Sequence, residues 1–234
     1  MQDRVVLITG AAGALGGATA RAFFARGARL VLVDRAADRL PGIFADFESS
    51  PRVLLVPGID VTKEASLAEM TKRANERFAR IDVLVNIAGA YKGKALLDED
   101  PATWDFLMDL NARSVFLSCR AVVPEMLARK RGWVVNIGSA PALHAPANGG
   151  VYAASKAAVL RLTEALSAEL KHRGINVNAV LPGTMDTPAN RAAMPGTDPT
   201  TWVTTEEVGQ VIAFLASDEA SGIHGAAIPV YGRA

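Results

Sequence analysis

Tyr152 and Lys156 lie four residues apart in the stretch GGVYAASKAAVLRLTEALSAELKHRG. Residues at that spacing stack on one face of an α-helix, so a phenol and an ammonium group would share a surface. A free phenol titrates near pH 10 and is a reluctant proton carrier at neutrality. A positive charge beside it favours the phenolate, and would fit the pair to move a proton to or from a reacting oxygen. A half-buried Tyr and a solvated Lys satisfy the same spacing, so the pair needs company. A second group stands near the start of the chain, where an apolar run passes into TGAAGALGGATARAFFARG. Glycines there allow a tight turn and let a pyrophosphate reach backbone amides at a helix N-terminus. Eighteen residues after Gly16 the next run ends in Asp34. Its carboxylate could accept hydrogen bonds from an adenosine ribose and repel a 2′-phosphate. Arg35, just after it, could stack on adenine or embrace a phosphate. Small residues also suit plain helix–strand packing, and an Asp suits a turn or a cap. Together the strand–turn–helix setting and Asp34 favour dinucleotide binding.

The elements that must position these groups follow from the hydrophobic pattern. The apolar runs RVVLITG, RLVLVD, RVLLVPG, IDVLVNIAG, GWVVNIGS, INVNAVLPG and AAIPVYG show little polar alternation. That is the signature of strands covered on both faces. Helical patterns fall between them, roughly at 14–26, 36–48, 64–80, 103–129, 151–173 and 205–217. Alternating strands and helices predict right-handed crossovers: an α/β, doubly wound, Rossmann-type domain over 1–234, its seven-stranded parallel sheet carrying helices on both faces. The Pro- and Gly-rich stretch PGTMDTPANRAAMPGTDPTTW is the one long irregular segment, and a loop of that kind suggests a substrate lid at about 188–204.

Composition narrows the class. Half of the 234 residues are hydrophobic and 21% charged, enough for a sizeable core. A net charge of +1 without a basic block gives no reason to expect nucleic acid or an anionic membrane as partner. No apolar run reaches the roughly 18 residues of a membrane span, and MQDRVVLITG enters a strand pattern without a signal peptide. A lone cysteine, Cys119, fits a reducing cytoplasm, and its helical run SVFLSCRAVV makes it a core residue rather than a nucleophile. His144 lies between Ser139 and Tyr152 and could border a substrate, whereas His172 and His224 read as surface or turn residues. No His/Cys/Asp cluster has metal-ligand spacing, so no metal is expected.

Taken in order, these and further residues resemble the short-chain dehydrogenase/reductase family over essentially the whole chain. The family's threonine–glycine fingerprint resembles TGAAGALG, Thr9 to Gly16, and its adenine-side acidic residue falls on Asp60 in GIDVT. Its strand-four signature resembles NIAG, Asn86 to Gly89, and its helix-four asparagine falls on Asn111 in DLNARSVF. Its catalytic serine falls on Ser139 in NIGSA, thirteen residues before Tyr152, and its nicotinamide-side motif resembles PGTMDT, Pro182 to Thr187. Two positions depart from the pattern: Ala14 stands where a second fingerprint Gly is usual, and Ile87 where a second Asn is common.

The resemblance implies a catalytic set of Asn111, Ser139, Tyr152 and Lys156. Tyr152 would be the general acid/base, Ser139 would hydrogen-bond the same substrate oxygen, and Asn111 would hold a water leading to Lys156. Lys156 would bind the nicotinamide ribose and, with the oxidised ring's charge, lower the Tyr152 pKa. Cofactor contacts would come from Thr9, Gly10, Gly13, Leu15, Gly16, Asp34, Arg35, Asp60, Val61, Asn86, Ala88, Gly89, Tyr152, Lys156, Pro182, Gly183 and Thr187. NAD(H) is expected in preference to NADP(H), since Asp34 is acidic and AAGAL carries no basic residue. The substrate would be a small carbonyl or secondary alcohol, and the assembly a homotetramer. In that assembly Ala157, Ala158, Leu160, Leu162 and Leu166 would supply a second apolar helix face. The GALG turn and the series DTPANRAAMP with Trp202 also resemble dihydropteridine reductases, which use NADH. Those lack the serine, whereas Ser139 is present here. A third reading, a dinucleotide-binding redox sensor, gives no reason to keep Ser139.

Overall fold

The computed structural model describes residues 1–47 and 49–233. Seven strands form one parallel sheet: β1 (Val5–Thr9), β2 (Arg29–Asp34), β3 (Val53–Pro57), β4 (Val83–Asn86), β5 (Gly132–Ile137), β6 (Ile175–Pro182) and β9 (Ala227–Val230). Their order, β3-β2-β1-β4-β5-β6-β9, is the doubly wound Rossmann arrangement, and its direction of winding reverses between β1 and β4. Each apolar run feeds both faces. Val6, Ile8, Leu30 and Leu32 point into one core, while Val5, Leu7, Val31 and Val33 point into the other. On the first face lie α1 (Ala14–Ala25), α2 (Arg39–Ile43) and α8 (Thr205–Leu215), through Phe23, Leu40 and Ile212. On the second lie α3 (Glu64–Phe78), α5 (Ser114–Arg129) and α6 (Gly150–Leu170), through Met70, Val122 and Val159. Strands buried on both sides need no polar alternation, which is why the bare apolar runs marked them.

Three helices differ from their predicted spans. The pattern over 36–48 yields only Arg39–Ile43, because Pro41 and Gly42 fall inside it and both weaken a helix. Phe44 and Phe47 then turn inward, Phe47 stacking on both Phe44 and Phe24, and residue 48 lies outside the described set. The run over 103–129 begins earlier, as α4 (Pro101–Leu107) with Asp100 as its cap, and is interrupted by a π-helical turn at Met108–Arg113 before α5. The helix over 151–173 changes to a 3-10 turn at Lys171–Arg173 and stops at Gly174, whose φ of +80° suits glycine.

The irregular segment after β6 is tied at its base. The short strands β7 (Met185–Asp186) and β8 (Val203–Thr204) pair in parallel, and between them runs α7 (Pro188–Ala193), capped by Thr187. Arg191 grips Asp186 with two hydrogen bonds, at 2.6 and 2.8 Å. Trp202 is buried at the closing end.

Candidate active site

Thr9 and Asn86 are register partners at the ends of β1 and β4, so the turns after them open into the crevice where the sheet reverses. The Thr9 hydroxyl accepts hydrogen bonds from the amides of Ile87 and Ala88, at 3.2 and 3.4 Å, and fixes those turns side by side. The packing excludes side chains. A Cβ on Gly10 would lie 2.7 Å from the Ala88 nitrogen, and one on Gly16 would lie 2.2 Å from the Gly10 carbonyl oxygen. Gly10 also has φ +71°, a left-handed value that an L side chain resists. Helix α1 starts just beyond, with no side-chain cap from Gly13 and no acidic residue in its first turn. Its first amides therefore face outward without a side-chain partner, which is what a pyrophosphate requires. Gly13 and Ala14 are exposed there, so the methyl of Ala14 lies on the open side of the turn rather than in the packing.

Asp34 stands at the edge of the same crevice, and its carboxylate has structural work too. Oδ2 accepts from the Ala12 amide at 2.9 Å and Oδ1 from the Ala36 amide at 2.9 Å. A carboxylate offers about four acceptor sites, so two remain for ribose hydroxyls. Arg35 is exposed beyond it, and Arg39, which the sequence reading left out, reaches the Ala12 carbonyl at 3.5 Å. Asp60 sits after β3. Burial raises its pKa and is the largest single influence, yet the Thr62 hydroxyl and amide, with Arg35 and Lys63, together hold the carboxyl below its usual range. The remaining residues expected at the cofactor take up the same edge. Leu15 and Val61 are buried beneath the turns, Ala88 and Gly89 follow β4, Pro182 ends β6, and Gly183 and Thr187 come after it.

The chemistry-bearing side chains converge at the end of β5. Ser139 follows that strand, and Tyr152 and Lys156 come from the first turns of α6. The Lys156 ammonium is buried and donates to the Ile137 carbonyl at 2.8 Å. Burial alone brings its pKa down to about 8. Burial also pushes the Tyr152 phenol above its usual value; a hydrogen bond with Ser139 acts the other way, and Tyr91 adds to the rise. The Lys156 ammonium is directed at the Ile137 carbonyl, and in the chain by itself it is not among the groups that shift Tyr152; the lowering expected of it belongs to the complex with the oxidised ring. Asn111 is completely buried in the π turn. Its amide donates to Ala90 O and Ser155 Oγ, both at 3.0 Å, while its carbonyl accepts from the Ala90 amide at 2.9 Å. A Cβ on Gly89 would fall 2.7 Å from Asn111 Oδ1 and 3.3 Å from Lys156 Nζ, so these two groups flank that glycine. Beneath them Asn86 donates to Asn136, and Asn136 to Thr163, both at 2.9 Å.

Two residues here were not read from the sequence. Tyr91 places its ring edge-on against Tyr152, with centroids 5.0 Å apart, and nothing in the pattern of an exposed loop signals that contact. Ser155 joins Asn111 to α6 by also donating to the Tyr152 carbonyl at 2.7 Å. A buried Ser adjoining Lys156 was the available clue. His144, His172 and His224 are exposed, and Cys119 is buried with its thiol pushed up to about 12, as befits a core residue.

The family model described as short chain dehydrogenase matches residues 4–197. The chain belongs to that family. Among the short-chain dehydrogenases it resembles is a 3-oxoacyl-[acyl-carrier-protein] reductase of Thermotoga maritima, 34% identical over 99% of this chain and 98% of that one. Solved structures of the family superpose closely. Levodione reductase matches at a TM-score of 0.90 and 32% identity, over 99% of this chain and 97% of that one. The 3-ketoacyl-(acyl-carrier-protein) reductase from Brucella melitensis, solved with NADH, matches at 0.89 and 28% identity, over 99% of this chain and 98% of that one. This short-chain dehydrogenase is accordingly an oxidoreductase of the nicotinamide-dependent class. No helix among its described residues is long and apolar enough to cross a membrane.

Proposed function

We propose that the chain interconverts a small carbonyl compound and its secondary alcohol, with Tyr152 as general acid/base and NAD(H) as the preferred cofactor. The observation that carries this is the buried Lys156 ammonium beside Tyr152 and Ser139, at the sheet edge that opens into the glycine-lined crevice. A bound reduced nicotinamide supplies the hydride to the carbonyl carbon. Tyr152 delivers its phenolic proton to the carbonyl oxygen, and Ser139 donates a hydrogen bond to that oxygen and orients it. A phenol kept protonated by burial is in the state that reduction needs at neutral pH. Lys156 holds the nicotinamide ribose hydroxyls. In the oxidative direction its charge and that of the oxidised ring ease ionisation of Tyr152. Asn111, fixed through Ser155 and Ala90, positions a water that connects Lys156 to solvent.

The α1 amides beside Gly10, Gly13 and Gly16 would hold the pyrophosphate, and Asp34 would take the ribose hydroxyls with its two remaining acceptor sites. A 2′-phosphate would set like charges together there. Exposed Tyr91 against Tyr152, and exposed Leu96 beside Gly150 at the start of the same helix, favour a substrate with an apolar body. The segment 188–204 closes over it as a lid. Four copies assemble through the α6 face, where Ala157, Ala158, Leu162 and Leu166 stay partly uncovered in one chain while Leu160, expected there too, is buried against Ala179 and Leu181, and the protein works in the cytoplasm.

The test is NADH consumption against ketones, diketones and a quinonoid dihydropterin, with Tyr152→Phe beside the parent. Reduction of a ketone that the variant has lost supports the reading. Turnover of the dihydropterin alone, or no turnover with intact NADH binding, rejects it.

A further inference from the structure

The opposite end of the sheet gathers arginines. Asp82, at the entry to β4, accepts from Arg80 Nε at 2.9 Å and lies 3.9 Å from Arg129 Nη2. Asp218, in the 3-10 turn Asp218–Ala220, accepts from Arg4 and, at 3.2 Å, from Arg131. The two clusters meet at Trp133, whose ring lies 3.9 Å from the Arg4 guanidinium carbon and 5.3 Å from that of Arg131. The Trp133 amide donates to the Asp82 carbonyl at 3.1 Å and joins this ring to the other cluster. Together these side chains line a cavity of about 470 Å³.

Charge and donors are both in excess there. Four guanidiniums share two carboxylates, which leaves a formal surplus of two positive charges. Among the described residues no acceptor lies within hydrogen-bond distance of Nη1 on Arg80, Arg129 or Arg131. An ion-pair network that served only to pin strand ends would match charge with charge. Planar guanidinium forks with free N–H groups around a concave space instead suit a carboxylate or phosphate, which each fork can hold with two parallel bonds.

We propose that this cavity binds a small oxyanion carrying two or more charges, of phosphoryl or polycarboxylate type. It lies at the N-terminal ends of β1, β4 and β5, whereas the dinucleotide crevice lies at their C-terminal ends, so both ligands fit at once. The anion would tie the Arg4, Arg80, Arg129 and Arg131 segments together and stabilise the folded chain by binding it.

Calorimetric titration tests this on the protein saturated with reduced dinucleotide, so that the glycine turn is already filled. The probes are inorganic pyrophosphate and, separately, citrate, each against sodium chloride of equal ionic strength. Saturable one-to-one binding of either probe is expected, and the one that binds tighter identifies the chemistry. The Arg80→Ala/Arg131→Ala variant should weaken it about tenfold or more. Asp218→Asn, at a side chain 64% exposed, should tighten it by removing a competing carboxylate, and does not depend on the arginine variant folding well. Heat no larger than the salt control, an affinity that neither variant moves, or release of dinucleotide in step with binding would overturn the proposal.

Discussion

The two ends of this parallel sheet are built on opposite principles. At the C-terminal end a single ammonium, Lys156, is buried with one backbone carbonyl as its protein acceptor, and a phenol is pushed towards its neutral form. At the N-terminal end the charged groups are many, and each carboxylate holds two guanidiniums. Asp82, 15% exposed, also accepts the Val5 amide at 2.9 Å. One end therefore holds a charge the folded chain solvates poorly, and the other holds charges that fasten strands to one another. Substitutions should act with opposite sign on stability at the two ends.

The largest effect concerns turnover. Tyr152→Phe preserves the ring and its contact with Tyr91 but loses the proton, so kcat should fall by about 10²-fold or more with cofactor binding nearly unchanged. Activity above about a tenth of the parent would mean that another acid serves. Lys156→Met should likewise abolish most turnover and weaken cofactor binding, yet raise stability. A pKa held at about 8 instead of 10.5 corresponds to roughly 3 kcal/mol of penalty at neutral pH, less about 1 kcal/mol for the lost bond to Ile137. The net gain of about 2 kcal/mol appears as a Tm rise of about 4–8 °C.

The sign with pH follows from the same shift. Between about 8 and 10.5 the unfolded chain binds the proton that folded Lys156 has released, so parent stability climbs with pH across that window and is lowest, on this account, below it. Lys156→Met should flatten that climb in pH-dependent melting curves. Asp82→Ala tests the other end. It leaves Arg80 Nε and the Val5 amide without their acceptor and Arg129 without its ion-pair partner, and should cost about 1–3 kcal/mol. A stabilised Asp82 variant, or a destabilised Lys156→Met, would erase the contrast.

Smaller effects sharpen the picture within the catalytic end. Asp34→Ala should move the kcat/KM ratio towards NADPH by about tenfold, as the repulsion of a 2′-phosphate is lost. Because Asp34 also accepts the Ala12 amide, the variant should raise the KM of both cofactors slightly, a cost absent from the sequence argument. A parent that prefers NADPH would reverse the assignment, with Arg39 the group to examine next. The lid should be cleaved by protease between Pro188 and Asp198 more slowly once cofactor and substrate are both saturating. Its base, held by the Asp186–Arg191 pair and by Trp202, should resist in either state.

What could be read from sequence divides along physical lines. The strands were legible because Val, Ile and Leu runs covered on both faces carry no other explanation, and Gly10 and Gly16 because backbone crowding admits no other residue. Helix 36–48 was overread, since an amphipathic pattern does not register that Pro41 and Gly42 break it and that Phe44 and Phe47 stack instead. The π turn left no mark at all. Tyr91 and the arginine cavity were invisible for another reason: their meaning arises from residues brought together from distant segments. Arg4, Arg80, Arg131 and Asp218 lie on four separate stretches of chain, each ordinary by itself.

The π turn at Met108–Arg113 has a consequence for chain length. A widened turn of this kind closes its bonds one residue later, as the Ser114 amide does on the Asp109 carbonyl, and so absorbs one more residue than an α-helix would. Deleting a single residue such as Asp109 lets α4 and α5 fuse into one regular helix, with both flanks keeping the faces they already present. The outer surface of that helix would heal. Asn111 would not survive the repair in place, because its reach to Ala90 and Ser155 depends on the outward swell of the backbone. In a library of one-residue deletions this should be the position inside a helix where soluble yield is kept and turnover is lost.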